Sequence, residues 1–322
     1  MNEQPINSSL YAGTWILEII FYCVTNAFAI LSGFLYAKKK VVNYYRLLNL
    51  LAIVFFWSIV ICAAFKIALP SVVSKENVFY GLFPVLQGRY WYITCYILMF
   101  LMIPYINIIV RTLDQKKYKS FLLLLFILLS IFPTVCKTDF FRTGNGYSPW
   151  WLIFNYFIGA YFSIYGFGTI KKWKLFLIFC INTFLVFLCV LSDQKIIDGL
   201  QYTSPMIVGN AVCLFGMLHN VNIKKYRTQK IVVALSAAAF DVYIMHAHIW
   251  VYDYLIKDSF KFIQKYHLTI SIAIILTGIL TISFIGFIGG WIRKGFFKIL
   301  KVNGFLKLLG SKITHFLYLE RL

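Results

Sequence analysis

The chain has 322 residues, 61% of them hydrophobic and 19% aromatic, with a formal charge of +20. Its mean hydropathy of +0.79 means more apolar side chain than a soluble core of this length can bury, which excludes a soluble enzyme and indicates a polytopic membrane protein. So high a positive charge would suit nucleic acid in a soluble chain. Here, however, the lysines and arginines stand in short runs between apolar segments, where they set orientation in a bilayer, and no nucleic-acid partner is expected.

About 20 apolar residues are needed for a helix to cross the hydrocarbon. Nine segments qualify: residues 14–36, 47–69, 90–110, 120–136, 149–166, 173–192, 203–218, 231–256 and 268–292. The fold expected is an all-α membrane helix bundle of nine transmembrane helices. Residues 1–13 form an extracytoplasmic segment, 14–292 the membrane-embedded domain and 293–322 a basic amphipathic tail lying on anionic lipid at the cytoplasmic face. Ser148-Pro149 and Ser204-Pro205 each place a capping hydroxyl before a proline at the first helical position, where its missing N–H costs nothing. All seven cysteines lie in apolar segments without metal-type spacing, so they read as small buried hydrophobes, with no disulfide and no metal expected. No internal repeat is legible.

Orientation follows from the loops. Counted alternately along the chain, one set of loops plus the C-terminal tail carries 22 Lys and Arg and the other set carries 8. The bias has the same sign at every crossing, so the basic loops and the C-terminus are expected in the cytoplasm and the N-terminus outside. The first span lacks a basic n-region and is too long for a signal-peptide core. An N-out start of this kind leads to the expectation of one further helix upstream of Met1.

Ionisable groups inside the hydrocarbon are costly enough to mark candidate function. They are Glu18, Lys66, Asp241, His246, His248 and Asp253. Lys66 sits near a helix end and can snorkel, and Glu18 lies close to the outer surface. On a continuous helix over 231–256, Asp241 and His248 share one face and His246 and Asp253 another. Seven residues is about 10 Å of rise, so neither His–Asp pair bonds directly and each group needs a partner from another helix.

The stretches "NAFAILSGFLYAKKK" (26–40), "RYWYITCYILMFLMIPYIN" (89–107), "GYSPWWLIFNYFIGAYF" (146–162) and "FDVYIMHAHIWVY" (240–252) resemble, in this order, acyltransferase family 3, and most closely its surface-polysaccharide O-acetyltransferases. The resemblance implies an integral membrane enzyme that takes an acyl group from cytoplasmic acyl-CoA, a co-substrate rather than a bound cofactor, and delivers it to a glycan hydroxyl outside. The family's first helix carries an Arg and, some ten residues later, an essential His, and this sequence has no counterpart of either. The chain as given is therefore expected to lack acetyl transfer, which one further upstream span would restore.

Carried over by position, the resemblance points to His246, in Tyr243-x-x-His246, as a catalytic residue, with a satisfied structural histidine as the alternative. Independently of the resemblance, the basic run Lys38, Lys39, Lys40 and Arg46 is the candidate for the phosphates of CoA, since Arg grips phosphate bidentately; Arg46 stands where the family's loop carries arginine, Lys39 and Lys40 read rather as anchors, and ordinary topology signal is the other reading of the run. Arg89 and Trp91 are the candidates for the glycan, against an interfacial aromatic belt. Trp150, Trp151 and Asn155 carry the same ambiguity. Gly33, in the Ser32-Gly33-Phe34 turn, lets a helix bend or pack closely.

The function expected is a membrane O-acetyltransferase acting on a capsular or other surface polysaccharide, or on its lipid-linked precursor. A flippase or small permease for such glycans is the alternative from another class. A glycan polymerase is disfavoured by outer loops below about twenty residues, too short for an external acceptor-binding domain.

Overall fold

The computed structural model describes residues 9–74, 77–192 and 197–318. In chain order the helices are α1 (Ser9–Tyr22), α2 (Val24–Tyr36), α3 (Tyr45–Ala68), α4 (Val78–Leu82), α5 (Trp91–Thr112), α6 (Gln115–Phe126), α7 (Phe132–Cys136), α8 (Pro149–Tyr165), α9 (Lys172–Leu191), α10 (Pro205–Leu218), α11 (Tyr226–His246), α12 (Ile249–Val251), α13 (Leu268–Ile299) and α14 (Val302–Tyr318). No strand occurs among the described residues, and the fold is all-α.

Among the described residues, seven helical stretches are long and apolar enough to cross a membrane: α1 with α2, α3, α5, α6 through α7, α9, α11 and α13. The other two expected spans are short helices, α8 with 17 residues and α10 with 14. Both are heavily buried in protein, and a helix surrounded by protein need not match the bilayer thickness itself.

The chain divides into two compact units, one of residues 1–42 and 91–221, the other of 43–90 and 222–322. In the first unit α2 and α8 cross at backbone distance. A Cβ on Gly33 would stand 2.0 Å from the carbonyl oxygen of Tyr156, and one on Gly159 would stand 1.8 Å from that of Ile30. Gly33 thus serves close packing, and the turn expected around it is continuous helix within α2. Amides lock the same unit. Asn107 donates from Nδ2 to the Tyr36 carbonyl at 3.0 Å and accepts from Tyr156 Oη at 2.8 Å.

Helix α6 passes to α7 through a π turn, Ile127–Ile131. Pro133 stands two residues beyond its end; with no N–H and a ring that crowds the preceding turn, proline favours such a local widening. Ser148 caps α8 as expected, its hydroxyl accepting from Trp151 N at 3.3 Å. Ser204 does not cap α10, because its Oγ turns toward the Met206 sulfur.

In the second unit α13 is 32 residues long and continues past the expected end of its span to Ile299. The basic tail therefore starts later than residue 293, as α14, which packs on the start of α3: a Cβ on Gly310 would lie 2.6 Å from Tyr45 N.

Candidate active site

The second unit carries a charged pair inside its helices. Asp241 on α11 is fully buried and Arg293 on α13 is 4% exposed. Asp241 Oδ1 accepts from Arg293 Nε at 2.5 Å and from Trp57 Nε1 of α3 at 2.7 Å, while Oδ2 accepts from Arg293 Nη2 at 3.0 Å. The guanidinium also lies over the Phe297 ring, 4.9 Å from its centroid. Room for the carboxylate comes from Gly290, where a Cβ would stand 2.8 Å from Asp241 Oδ2. A desolvated ion pair is tolerable only when its hydrogen-bonding capacity is filled in this way. The partners come from other helices, as the sequence spacing required; Arg293, expected in the surface tail, lies on α13, and Trp57 stands within the apolar run of α3.

Helix α11 stops at His246, which corrects the continuous helix expected over 231–256. His248 adopts φ −62° and ψ 131°, and its Nδ1 accepts from Trp250 N at 3.3 Å, capping α12. A side chain that satisfies a backbone N–H locally competes with the helix for that residue. His248 therefore leaves the face it was expected to share with Asp241. Asp253 lies in the π turn Tyr252–Ile256, exposed, and not on a common face with His246.

His246 stays on the last turn of α11, half-buried. Its Nδ1 lies 2.7 Å from the Val242 carbonyl; a carbonyl only accepts, so in the neutral ring the proton sits on Nδ1 and Nε2 is the open acceptor. The ring borders a cavity of about 770 Å³ between α11 and α13, walled by apolar side chains such as Ile61, Met245, Leu255, Ile274 and Ile285. Three hydroxyls in that wall are already spent on backbone carbonyls: Ser259 on Leu255, Thr277 on Ala273 and Thr281 on Thr277. This leaves an imidazole acceptor beside a mostly apolar wall, where a general base can work on a hydroxyl. Tyr90 fixes this end of α11 by donating from Oη to the Ile244 carbonyl at 2.8 Å.

The remaining candidates divide between the units. Lys39 and Lys40 are exposed at the basic end of the first unit. There Arg111 Nη2 donates to the Lys39 carbonyl at 2.6 Å, and Lys39 Nζ stands 4.9 Å above the Tyr36 ring. Arg111, counted in the sequence only as topology signal, thus joins this cation cluster. Arg46 is exposed in the second unit, on the first turn of α3 beside Tyr45, over whose ring Lys307 of α14 lies at 5.9 Å. Arg89 is exposed in the second unit, and Trp91 is half-buried in the first. Lys66, exposed near the end of α3, donates from Nζ to the Val73 carbonyl at 3.2 Å. Among the described residues no group of three or more His, Cys, Asp or Glu is placed to hold a metal.

Trp91 sits in a cluster that sequence spacing did not reveal, because its members come from four separate segments. Trp91 lies 4.4 Å from Tyr147 and 5.4 Å from Tyr202, Tyr147 lies 5.1 Å from Tyr202, and Tyr22 stacks on Tyr202 at 4.4 Å. Asn26, 1% exposed, ties the cluster down by donating to the Tyr202 carbonyl at 2.9 Å and accepting from Trp151 Nε1 at 2.8 Å. That bond gives Trp151 a structural role.

The neighbouring segment 137–149 is held by Asp139. Its carboxylate accepts from Thr143 N and Thr143 Oγ1 at 2.8 Å each and from Gly144 N at 2.6 Å. Partial burial opposes ionisation, but these hydrogen bonds hold the carboxyl below the usual carboxylate range.

A family model described as an acyltransferase domain matches residues 4–290 of the chain. No curated protein and no solved structure matches it.

Proposed function

The chain belongs to this family of membrane acyltransferases, and we propose that it moves an acyl group, acetyl in the first instance, from acyl-CoA to a hydroxyl of a surface polysaccharide or its lipid-linked precursor. In this reading the basic loops and C-terminus are cytoplasmic and the N-terminus is outside. Lys39 and Lys40, joined by Arg111, are the first unit's candidates for gripping the phosphates of CoA, and Arg46 is the second unit's. Against the expectation that the chain as given lacks transfer, the base role that the resemblance gives to a His of the family's first helix is assigned here to His246, whose Nε2 takes the proton of the acceptor hydroxyl as its oxygen attacks the thioester carbonyl. The C–S bond then breaks, and the departing sulfur recovers the proton from His246, so that ester and CoA thiol are the products. Trp91 and Arg89 contact the glycan.

The observation that carries the chemistry is His246, its Nδ1 spent on Val242 and its Nε2 open beside an apolar cavity. The family match supports an enzyme over a glycan flippase or permease. Membranes from cells that make the protein are supplied with acetyl-CoA and depolymerised surface glycan, and free thiol is measured. Glycan-dependent thiol release that falls at least about 100-fold in His246→Ala is expected, the lower range for loss of a general base. Undiminished release in that variant, with normal expression, would remove His246 from the chemistry.

A further inference from the structure

The cluster around Trp91 has the form of a binding surface rather than an interfacial belt. In a belt, rings face the headgroups singly; here Tyr22, Trp91, Tyr147 and Tyr202 pack on one another at 4.4 to 5.4 Å. Those separations are ring-to-ring contact, so nothing enters between the rings, which rules out a cage closing around a cation. What the cluster offers is its outward side, and Tyr147 is 48% exposed.

The surface is built to stay in place. The Tyr147 carbonyl accepts from Cys95 Sγ at 3.7 Å. Gly146, at φ +100°, comes so near Tyr202 that a Cβ there would stand 2.3 Å from the tyrosine's own Cβ; both the backbone conformation and the approach require glycine. Glu18 lies one turn before Tyr22 on α1 and is exposed.

A flat apolar face bordered by phenol hydroxyls and a carboxylate suits a pyranose ring: its C–H face stacks on the aromatic, and its hydroxyls donate to the acceptors at the edge. We propose that this surface holds one sugar ring of the acceptor glycan, stacked on Tyr147 with Glu18 accepting from a sugar hydroxyl. The assignment rests on the glycan-acceptor reading and adds to it a site and a ligand face. The lysine-poor end of the first unit carries this site, and the Lys39 cluster lies at the opposite ends of the same helices, α2 and α5.

The test uses the full chain in membranes and in nanodiscs, with oligosaccharides cut from the surface glycan of the cells that make the protein. Tyr147→Ala should raise the KM for oligosaccharide about tenfold, near the upper end of what an aromatic face contributes. The KM for acetyl-CoA should stay put, which also certifies the fold. Tyr147→Phe, which keeps the face, should stay within about threefold of the parent, and Glu18→Gln should raise the KM by a smaller factor than Tyr147→Ala. An oligosaccharide KM unmoved by Tyr147→Ala would overturn the proposal. If the parent transfers no acyl group to glycan, the acceptor reading fails separately, and the surface is judged by saturation-transfer NMR of the same oligosaccharides. Signal lost in Tyr147→Ala and kept in Tyr147→Phe upholds it; signal equal in all three, or absent in the parent, overturns it.

Discussion

The two units solve one problem in different ways. Inside hydrocarbon, apolar burial does not drive helices together, so association depends on close packing and on polar contacts. The first unit relies on neutral groups, with α2 and α8 touching through Gly33 and Gly159 and buried amides such as Asn26 and Asn107 bridging helices. The second relies on an ion pair, Asp241 with Arg293, bound further to Trp57. Neutral glue divides the energy among many contacts, so the loss of one is small. An ion pair concentrates it, because removing one partner strands a charge.

The largest effect should therefore fall in the second unit. Asp241→Ala leaves the Arg293 guanidinium buried without its counter-charge, and about 3–5 kcal/mol of stability should be lost, read by thermal unfolding of the purified protein in detergent. Replacing both partners, as in Asp241→Leu with Arg293→Met, should recover most of it. Equal losses in the single and double variants would show that the pair is not the source.

Gly159→Val comes next, because its side chain would meet the Ile30 carbonyl, which is backbone and cannot swing aside. Separating α2 from α8 should cost about 1–3 kcal/mol or somewhat more. A neutral result would mean that the crossing is looser than described.

Asn107→Ala deprives the Tyr36 carbonyl and the Tyr156 hydroxyl of their partner, and about 0.6–1.7 kcal/mol is expected from interhelical hydrogen bonds in membranes. A loss matching that of Asp241→Ala would erase the contrast between the units.

These differences track what the sequence could express. Gly33 and the Ser148 cap were legible, since each depends on local spacing or on one residue's own chemistry. Asp241 was legible as a group needing an outside partner, but the partners were not: Arg293 looks like any cation just past an apolar span, and Trp57 like any aromatic within one. The stop at His246 was hidden because no Gly or Pro marks it, and His248 makes the break through its own ring. The π turn at Ile127 did have a signal, Pro133. The aromatic cluster joins residues as far apart as Tyr22 and Tyr202, and no periodicity within one helix can report such a meeting. His246 is marked in the sequence by position, and the role proposed for it rests on a detail only geometry supplies, the Nδ1 contact with the Val242 carbonyl.

The smallest effect concerns the loop of the first unit. The carboxyl of Asp139 is held below its ordinary range, so its contribution is present above the unfolded carboxylate pKa of about 3.9 and is lost as pH falls through the lower folded value. Hydrogen exchange of residues 137–149 should quicken below about pH 4 relative to the intrinsic rate, and Asp139→Asn should show quickened exchange already at neutral pH. Exchange in the variant equal to the parent at neutral pH would separate the loop's order from this carboxylate.

The central claim is acyl transfer at His246, and glycan acyl content measured by NMR tests it most directly. A strain lacking the activity is complemented with the parent chain or with His246→Gln, which keeps the size of the side chain and removes the imidazole base. The account predicts acyl esters on the surface glycan with the parent and at most about one hundredth as many with the variant; equal acylation by both, at equal protein levels, would contradict it.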